Sequence, residues 1–123
     1  MGSDKIWLFD TTLRDGGQTR GVDFSRADKV AIAHALDDIG IDYIEAGWPG
    51  ANPTDDAFFA KPPKMKNAKL VSFGMTRRGG RSTANDPGLN AVIDAEVDAS
   101  CLVGKTWDFH VKTALNTTLD ENL

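Results

Sequence analysis

Apolar and polar positions alternate between two periods along the chain, and the alternation repeats four times. Residues 6–9 (Ile6, Trp7, Leu8, Phe9) form a continuous apolar run and read as a buried strand. Residues 25–39 read as a helix. Ser25 offers an N-cap, and Asp28 sits three residues on, where its carboxylate can reach back to the cap amide. Ile32, Ala35, Leu36 and Ile39 form an apolar stripe at helical spacing, and Gly40 supplies a left-handed terminus. A second strand is predicted over residues 41–46. Asn52 and Pro53 then give a cap and a proline at the first helical position, ahead of a short helix over 54–60. A linker rich in proline and lysine, 61–69, leads to a third strand over 70–74. Asp86 and Pro87 repeat the cap-then-proline device and open a helix that runs to about Ala95. Residues 99–103 read as a fourth strand, and residues 108–123 as a loop turning into a fourth helix.

Strands alternating with helices imply a parallel sheet. Two architectures share that pattern: an open doubly wound sheet and part of a (β/α)8 barrel. Both gather function at the C-terminal ends of the strands. Here those ends fall at residues 10–18, 45–50, 76–78 and 104–108, where the polar and charged residues concentrate. Charges directly behind an apolar strand are therefore placed at the mouth of the sheet rather than inside it.

Composition narrows the picture. The 123 residues suit one domain, and 41% apolar content is enough for a core. The net charge of −4 argues against a nucleic-acid partner, although Arg77, Arg78 and Arg81 cluster in a Gly-rich turn that reads as a solvated loop. The single cysteine, Cys101, excludes an intramolecular disulfide and reads as a small core residue within an apolar run. No apolar stretch approaches the ~18 residues needed to cross a bilayer, nothing resembles a signal peptide, and a cytoplasmic location without a membrane partner is expected.

The strand ends carry the candidate chemistry. Asp15 is a hard oxygen donor suited to Mg²⁺ or Mn²⁺, but one carboxylate does not make a site. Arg14 can pair with a substrate carboxylate or stabilise a developing enolate oxygen, or it can simply form a loop ion pair with Asp15. Gly16 and Gly17 permit a sharp turn, and Gln18 adds a donor and an acceptor. Glu45 ends the second strand; it can act as acid, base or partner to Arg14, or accept amides from the turn at 47–50. Trp48 is read as a pocket wall. His34 lies on the polar face of its helix, His110 follows the fourth strand, and no His-x-His pair occurs.

The stretch FDTTLRDGGQTRG resembles the signature of the isopropylmalate/homocitrate/citramalate synthase family, within the metal-dependent aldolase–lyase superfamily. YIEAGWPGANPTDDAFF and GKTWDFHV most resemble its citramalate branch, and the likeness runs from Ile6 to the final TTLDENL. The resemblance implies a (β/α)8 TIM barrel that binds a divalent metal (Mg, Mn or Zn) and condenses acetyl-CoA with a 2-oxo acid, pyruvate in the citramalate branch. It implies Asp15 as a metal ligand, Arg14 and Glu45 as catalytic residues, and Arg14 with Gln18 as substrate-binding residues. A whole barrel takes about 250 residues, so the chain reads as the N-terminal half, about four βα units. The family's His-x-His metal ligands are not among these residues, and Glu96 stands where the family usually has a helix-ending glycine. A half-barrel leaves two sheet edges and an apolar face uncovered, which predicts self-association as a homo-oligomer and little synthase activity in isolation. Two other readings are kept: a hydroxyacyl-CoA carbon–carbon lyase of the same superfamily, and a non-catalytic small-molecule-binding or phospho-receiver-like α/β module.

Overall fold

The computed structural model describes residues 4–123. Four strands, β1 (Phe9–Asp10), β2 (Tyr43–Gly47), β3 (Lys69–Met75) and β4 (Ala99–Val103), alternate with α1 (Arg26–Asp38), α2 (Pro53–Ala60) and α3 (Pro87–Asp94). Two short helices, α4 (Asp108–Thr113) and α5 (Leu119–Asn122), follow β4. All strand pairs are parallel and the order in space is β1-β2-β3-β4. A doubly wound or receiver-like sheet reverses its order at a switch point. This sheet steps one way throughout, as barrel strands do, which decides between the two architectures. No helix among the described residues is long and apolar enough to cross a membrane.

The local signals act as expected. Ser25 and Asp28 form a reciprocal capping box, with Asp28 N donating to Ser25 Oγ at 3.1 Å and Ser25 N to Asp28 Oδ2 at 2.9 Å. Asn52 and Asp86 cap α2 and α3, each ahead of its proline. Gly40 takes a φ of +91°, which ends α1.

Alternate residues of each strand serve opposite faces. Ile44, Ala46 and Leu70 meet Ala33 of α1 and Phe58 and Phe59 of α2 in the helix–sheet core. Gly74 lets α3 close on β3, since a Cβ there would lie 2.6 Å from Val92 Cγ2. The other face carries Tyr43, Glu45, Val71, Phe73 and Cys101, with Phe73 and Cys101 in register across β3 and β4.

Three expectations need correction. The first strand is neither residues 6–9 nor buried. Only Phe9–Asp10 pairs as a strand, and Ile6 is 80% exposed, with Trp7, Leu8 and Phe9 about half exposed. β1 pairs with β2 on one side only, and among the described residues no strand pairs with its other edge. The buried face of α1 is also rotated from the apolar stripe. Ile39 is exposed, while Lys29 and Asp37 are buried. A buried charge needs partners, and each has them: Lys29 pairs with Asp55, and Asp37 accepts amides from Lys66, Asn67 and Ala68. Finally, Cys101 is only partly buried, on the open face of β4. Glu96, just past α3, adopts φ +50°, the left-handed conformation that a glycine there would take without steric cost.

Candidate active site

The turn after β1 is built by Asp10 and Thr11. Asp10 accepts from Thr12 N at 2.9 Å and Thr12 Oγ1 at 3.0 Å. The Thr11 carbonyl accepts from the amides of Arg14, Asp15 and Gly16 at 2.8–3.2 Å. This tight turn sends Leu13 into the core at 1% exposure and aims Arg14 across the sheet mouth.

There Arg14 meets residues from the next two strands. Its Nε donates to Glu45 Oε1 at 2.5 Å, and its Cζ lies 4.1 Å from the Phe73 ring centroid, a cation–π contact. Its Nη1 also reaches Asp15 Oδ1 at 3.2 Å. The loop ion pair therefore exists, but it is the exposed partner of a buried one: Glu45 is 1% exposed, whereas the Asp15 side chain is 65% exposed. Cys101 of β4 completes the cluster. Burial first, then the charge and hydrogen bond of Glu45, push its thiol above the ordinary value, against a smaller opposing effect of Arg14.

The loop after β2 is held by two carboxylates that sequence reasoning missed. Asp55 accepts from Trp48 N at 2.9 Å, Asn52 Nδ2 at 3.0 Å and the buried ammonium of Lys29. Asp56 accepts from Gly50 N at 2.7 Å. The amides of the 47–50 turn thus go to α2 and not to Glu45. Gly47 makes room for this, because a Cβ there would lie 2.6 Å from Asp55 Cγ. Lys29 inside the buried half of an otherwise amphipathic helix was the available signal, but its partner is 26 residues away. The anchored loop presses Trp48 edge-on to Phe73, with centroids 5.1 Å apart.

Trp48, Arg14, Gln18, Asn52 and Asp55 are among the residues lining a cavity of about 250 Å³. Arg14, Gln18 and Trp48 are thus brought together, with Asp15 beside them in the solvent-facing turn. Glu45 lies behind Arg14 and does not line the cavity. The histidines stay apart: His34 is exposed, and His110 packs edge-on against Trp107 at 4.6 Å. Among the described residues no group of three or more His, Cys, Asp or Glu converges on a point where a metal could sit. Two carboxylates stand open there: Asp15, beside the cavity and held by Arg14, and Asp23, which lines it.

Known proteins resemble this chain at several levels. Residues 5–123 match the HMGL-like family. The chain is 54% identical over 123 residues to the (R)-citramalate synthase of Aquifex aeolicus, a match spanning 98% of this chain and 23% of that protein. It is 51% identical to the (R)-citramalate synthase of Streptomyces coelicolor, with the same coverage. It is 35% identical to the homocitrate synthase AksA of Methanopyrus kandleri, spanning 28% of that protein. The chain therefore spans about a quarter of the length of the synthases it matches. Among solved structures, the HMG-CoA lyase of Bacillus subtilis superposes with a TM-score of 0.69 at 18% identity, covering 98% of this chain and 39% of that one. That likeness supports the fold, the N-terminal half of a (β/α)8 barrel. With a family match over nearly its whole length, the chain belongs to the HMGL-like family.

Proposed function

We propose that this chain contributes the 2-oxo-acid end of a citramalate-type synthase site, which condenses acetyl-CoA with pyruvate. The observation that carries the proposal is the posture of Arg14 at a small polar cavity, in a chain 54% identical to a citramalate synthase. A guanidinium has five N–H donors. Glu45 takes the one on Nε and Asp15 takes one on Nη1, so three remain for a ligand. Those three suit the carboxylate and keto oxygens of a 2-oxo acid.

In the reaction, a general base takes a proton from the methyl carbon of acetyl-CoA, and the resulting carbanion attacks the keto carbon. Negative charge develops on the keto oxygen, which gains a proton to become the hydroxyl. Water then cleaves the thioester, releasing CoA and the hydroxy diacid. Arg14 stabilises the developing oxyanion with donors already in place, which is where fixed dipoles and charges contribute most. Glu45 acts through Arg14 as a positioning residue, since its carboxylate is buried and engaged by the guanidinium. Gln18 orients the oxo acid from the cavity rim.

A bound divalent cation would supply Lewis-acid polarisation of the keto group. The described residues do not fit a metal site by themselves. Asp15 offers one carboxylate, whereas such a cation takes several oxygen ligands. Asp15 is proposed as one ligand, and no step is routed through the metal.

The test is titration of the chain with pyruvate, followed by Trp48-sensitive fluorescence, beside an assay of CoA release from acetyl-CoA with a panel of 2-oxo acids. Pyruvate affinity should fall sharply in Arg14→Ala. Equal affinity in Arg14→Ala and the parent chain would refute the role of Arg14. The lyase reading rests on fold likeness at 18% identity, which does not reach chemistry.

A further inference from the structure

Trp48 stands between two spaces at the functional end of the sheet. On one side lies the cavity of about 250 Å³ that it lines with Arg14 and Gln18. On the other lies a cleft of about 870 Å³. Trp48 and Ala51 are the residues common to both linings. Ala51 contributes only a methyl group, so the indole is the partition. The far cleft is walled by Pro49, Met75 and the turn that carries Arg77, Arg78 and Arg81. That turn is held rather than loosely solvated: Glu121 Oε1 accepts from Arg77 Nη1 at 2.8 Å and from Gly80 N at 2.9 Å.

The partition is fixed through both its backbone and its ring. Trp48 N donates to Asp55 Oδ2 at 2.9 Å, and the Trp48 carbonyl accepts from Ala51 N at 3.1 Å. The ring meets Phe73 edge-on, with the planes at 77°. Phe73 is itself buried, with the Arg14 guanidinium 4.1 Å from its centroid. Indole, phenyl ring and guanidinium thus pack in series, and the wall cannot shift without moving the group that would hold the substrate.

The small cavity divides by polarity. Arg14 and Gln18 give it a polar side, and Leu13, Phe24 and Trp48 give it apolar surface. With the carboxylate and keto oxygens of a planar 2-oxo acid turned to Arg14, the carbon substituent projects away from the guanidinium and must meet that apolar surface. Leu13 is set in the core and yields no room. Trp48 is the wall with open space behind it.

We infer that Trp48 sets the size limit of the oxo acid: its indole closes the cavity beyond a methyl-sized substituent and turns longer chains away. The inference rests on the proposed function and deepens it, because it names the class of acid the site accepts and the residue that selects it. Discrimination of this kind is worth about tenfold to two-hundredfold per methylene.

The test is calorimetric titration of the full chain with pyruvate, 2-oxobutyrate and 2-oxopentanoate, on the parent, Trp48→Ala and Trp48→Phe, with circular dichroism verifying each fold. The parent should bind pyruvate at least about tenfold more tightly than 2-oxobutyrate. Trp48→Ala joins the two spaces and should abolish or reverse that preference. Trp48→Phe keeps an aromatic edge for Phe73 and should narrow it. The ratio between acids decides the matter, because a merely structural loosening of Arg14 would weaken all three acids in parallel and leave the ratio intact. A parent that binds 2-oxopentanoate as tightly as pyruvate overturns the inference before any variant is made. An unchanged ratio in folded Trp48→Ala also overturns it, as does an unchanged ratio in Trp48→Phe should the alanine variant not fold. Absence of binding of every acid to the parent strikes the proposed function and this inference together; binding without size preference strikes only the role of Trp48.

Discussion

Removing either half of the Lys29–Asp55 pair should destabilise the protein, but not equally. Lys29 is 3% exposed, and Asp55 is nearly as buried. Breaking such a pair from one side leaves an uncompensated buried charge, at about 3–5 kcal/mol. The surroundings decide where each variant falls. In Lys29→Met the Asp55 carboxylate keeps Trp48 N and Asn52 Nδ2 as donors and borders the small cavity, where water can approach. Its cost should lie at or below the lower bound, about 2–3 kcal/mol. In Asp55→Ala the Lys29 ammonium borders the same cavity but keeps no protein hydrogen-bond partner, only the Phe58 ring 5.9 Å away, and the Trp48 turn also loses its anchor. That cost should reach about 4–5 kcal/mol. The double variant should be more stable than the sum predicts, with a coupling energy of at least about 1.5 kcal/mol. Urea unfolding followed by circular dichroism measures all four corners of the cycle. If Asp55→Ala costs no more than Lys29→Met, or the coupling falls below about 0.5 kcal/mol, the pair does not organise the β2–α2 loop as described.

Glu45→Gln keeps the shape of the side chain but removes the charge that steers Arg14, so pyruvate affinity should fall several-fold while the circular dichroism spectrum holds; an unchanged affinity would mean Arg14 is positioned by Phe73 and Asp15 alone. Glu96→Gly relieves a left-handed conformation and should raise stability by about 1 kcal/mol, read as a higher urea midpoint; a lower midpoint would show that Glu96 contributes something its backbone strain conceals. Acid should unfold the protein through Asp37 and Glu121, whose folded-state pKa values are both lowered. For Asp37, burial works upward and the amides of Ala68, Lys66 and Asn67 more than reverse it; for Glu121, Gly80 N and Arg77 lower it directly. A depressed carboxyl contributes stability that is complete above its unfolded value, 3.8 for Asp and 4.5 for Glu, and is lost as pH falls through the lower folded value. Stability should therefore decline below about pH 4.5, and Asp37→Asn should flatten that decline; an unaltered acid profile in Asp37→Asn would refute the assignment.

What the sequence determined by itself was local. The Ser25–Asp28 box, the Asn52–Pro53 and Asp86–Pro87 starts and the Gly40 stop each depend on contacts within about four residues, and the bounds of β4 at Ala99–Val103 match the apolar run. The family resemblance added that a glycine is usual near Glu96, and the left-handed backbone there fits that pattern. A characteristic motif also placed Arg14, Asp15 and Gln18 at the mouth of the sheet. Tertiary structure decided the rest. An alternating βα pattern is common to barrels and doubly wound sheets, and only strand pairing separates them. The exposure of Ile6, Trp7 and Leu8 depends on what lies beside β1, which an apolar run cannot report. Arg14 finds Glu45 across 31 residues and Lys29 finds Asp55 across 26. Neither pairing has a local signature, because a charge looks solvated in sequence until folding removes the water and another strand or helix supplies its partner.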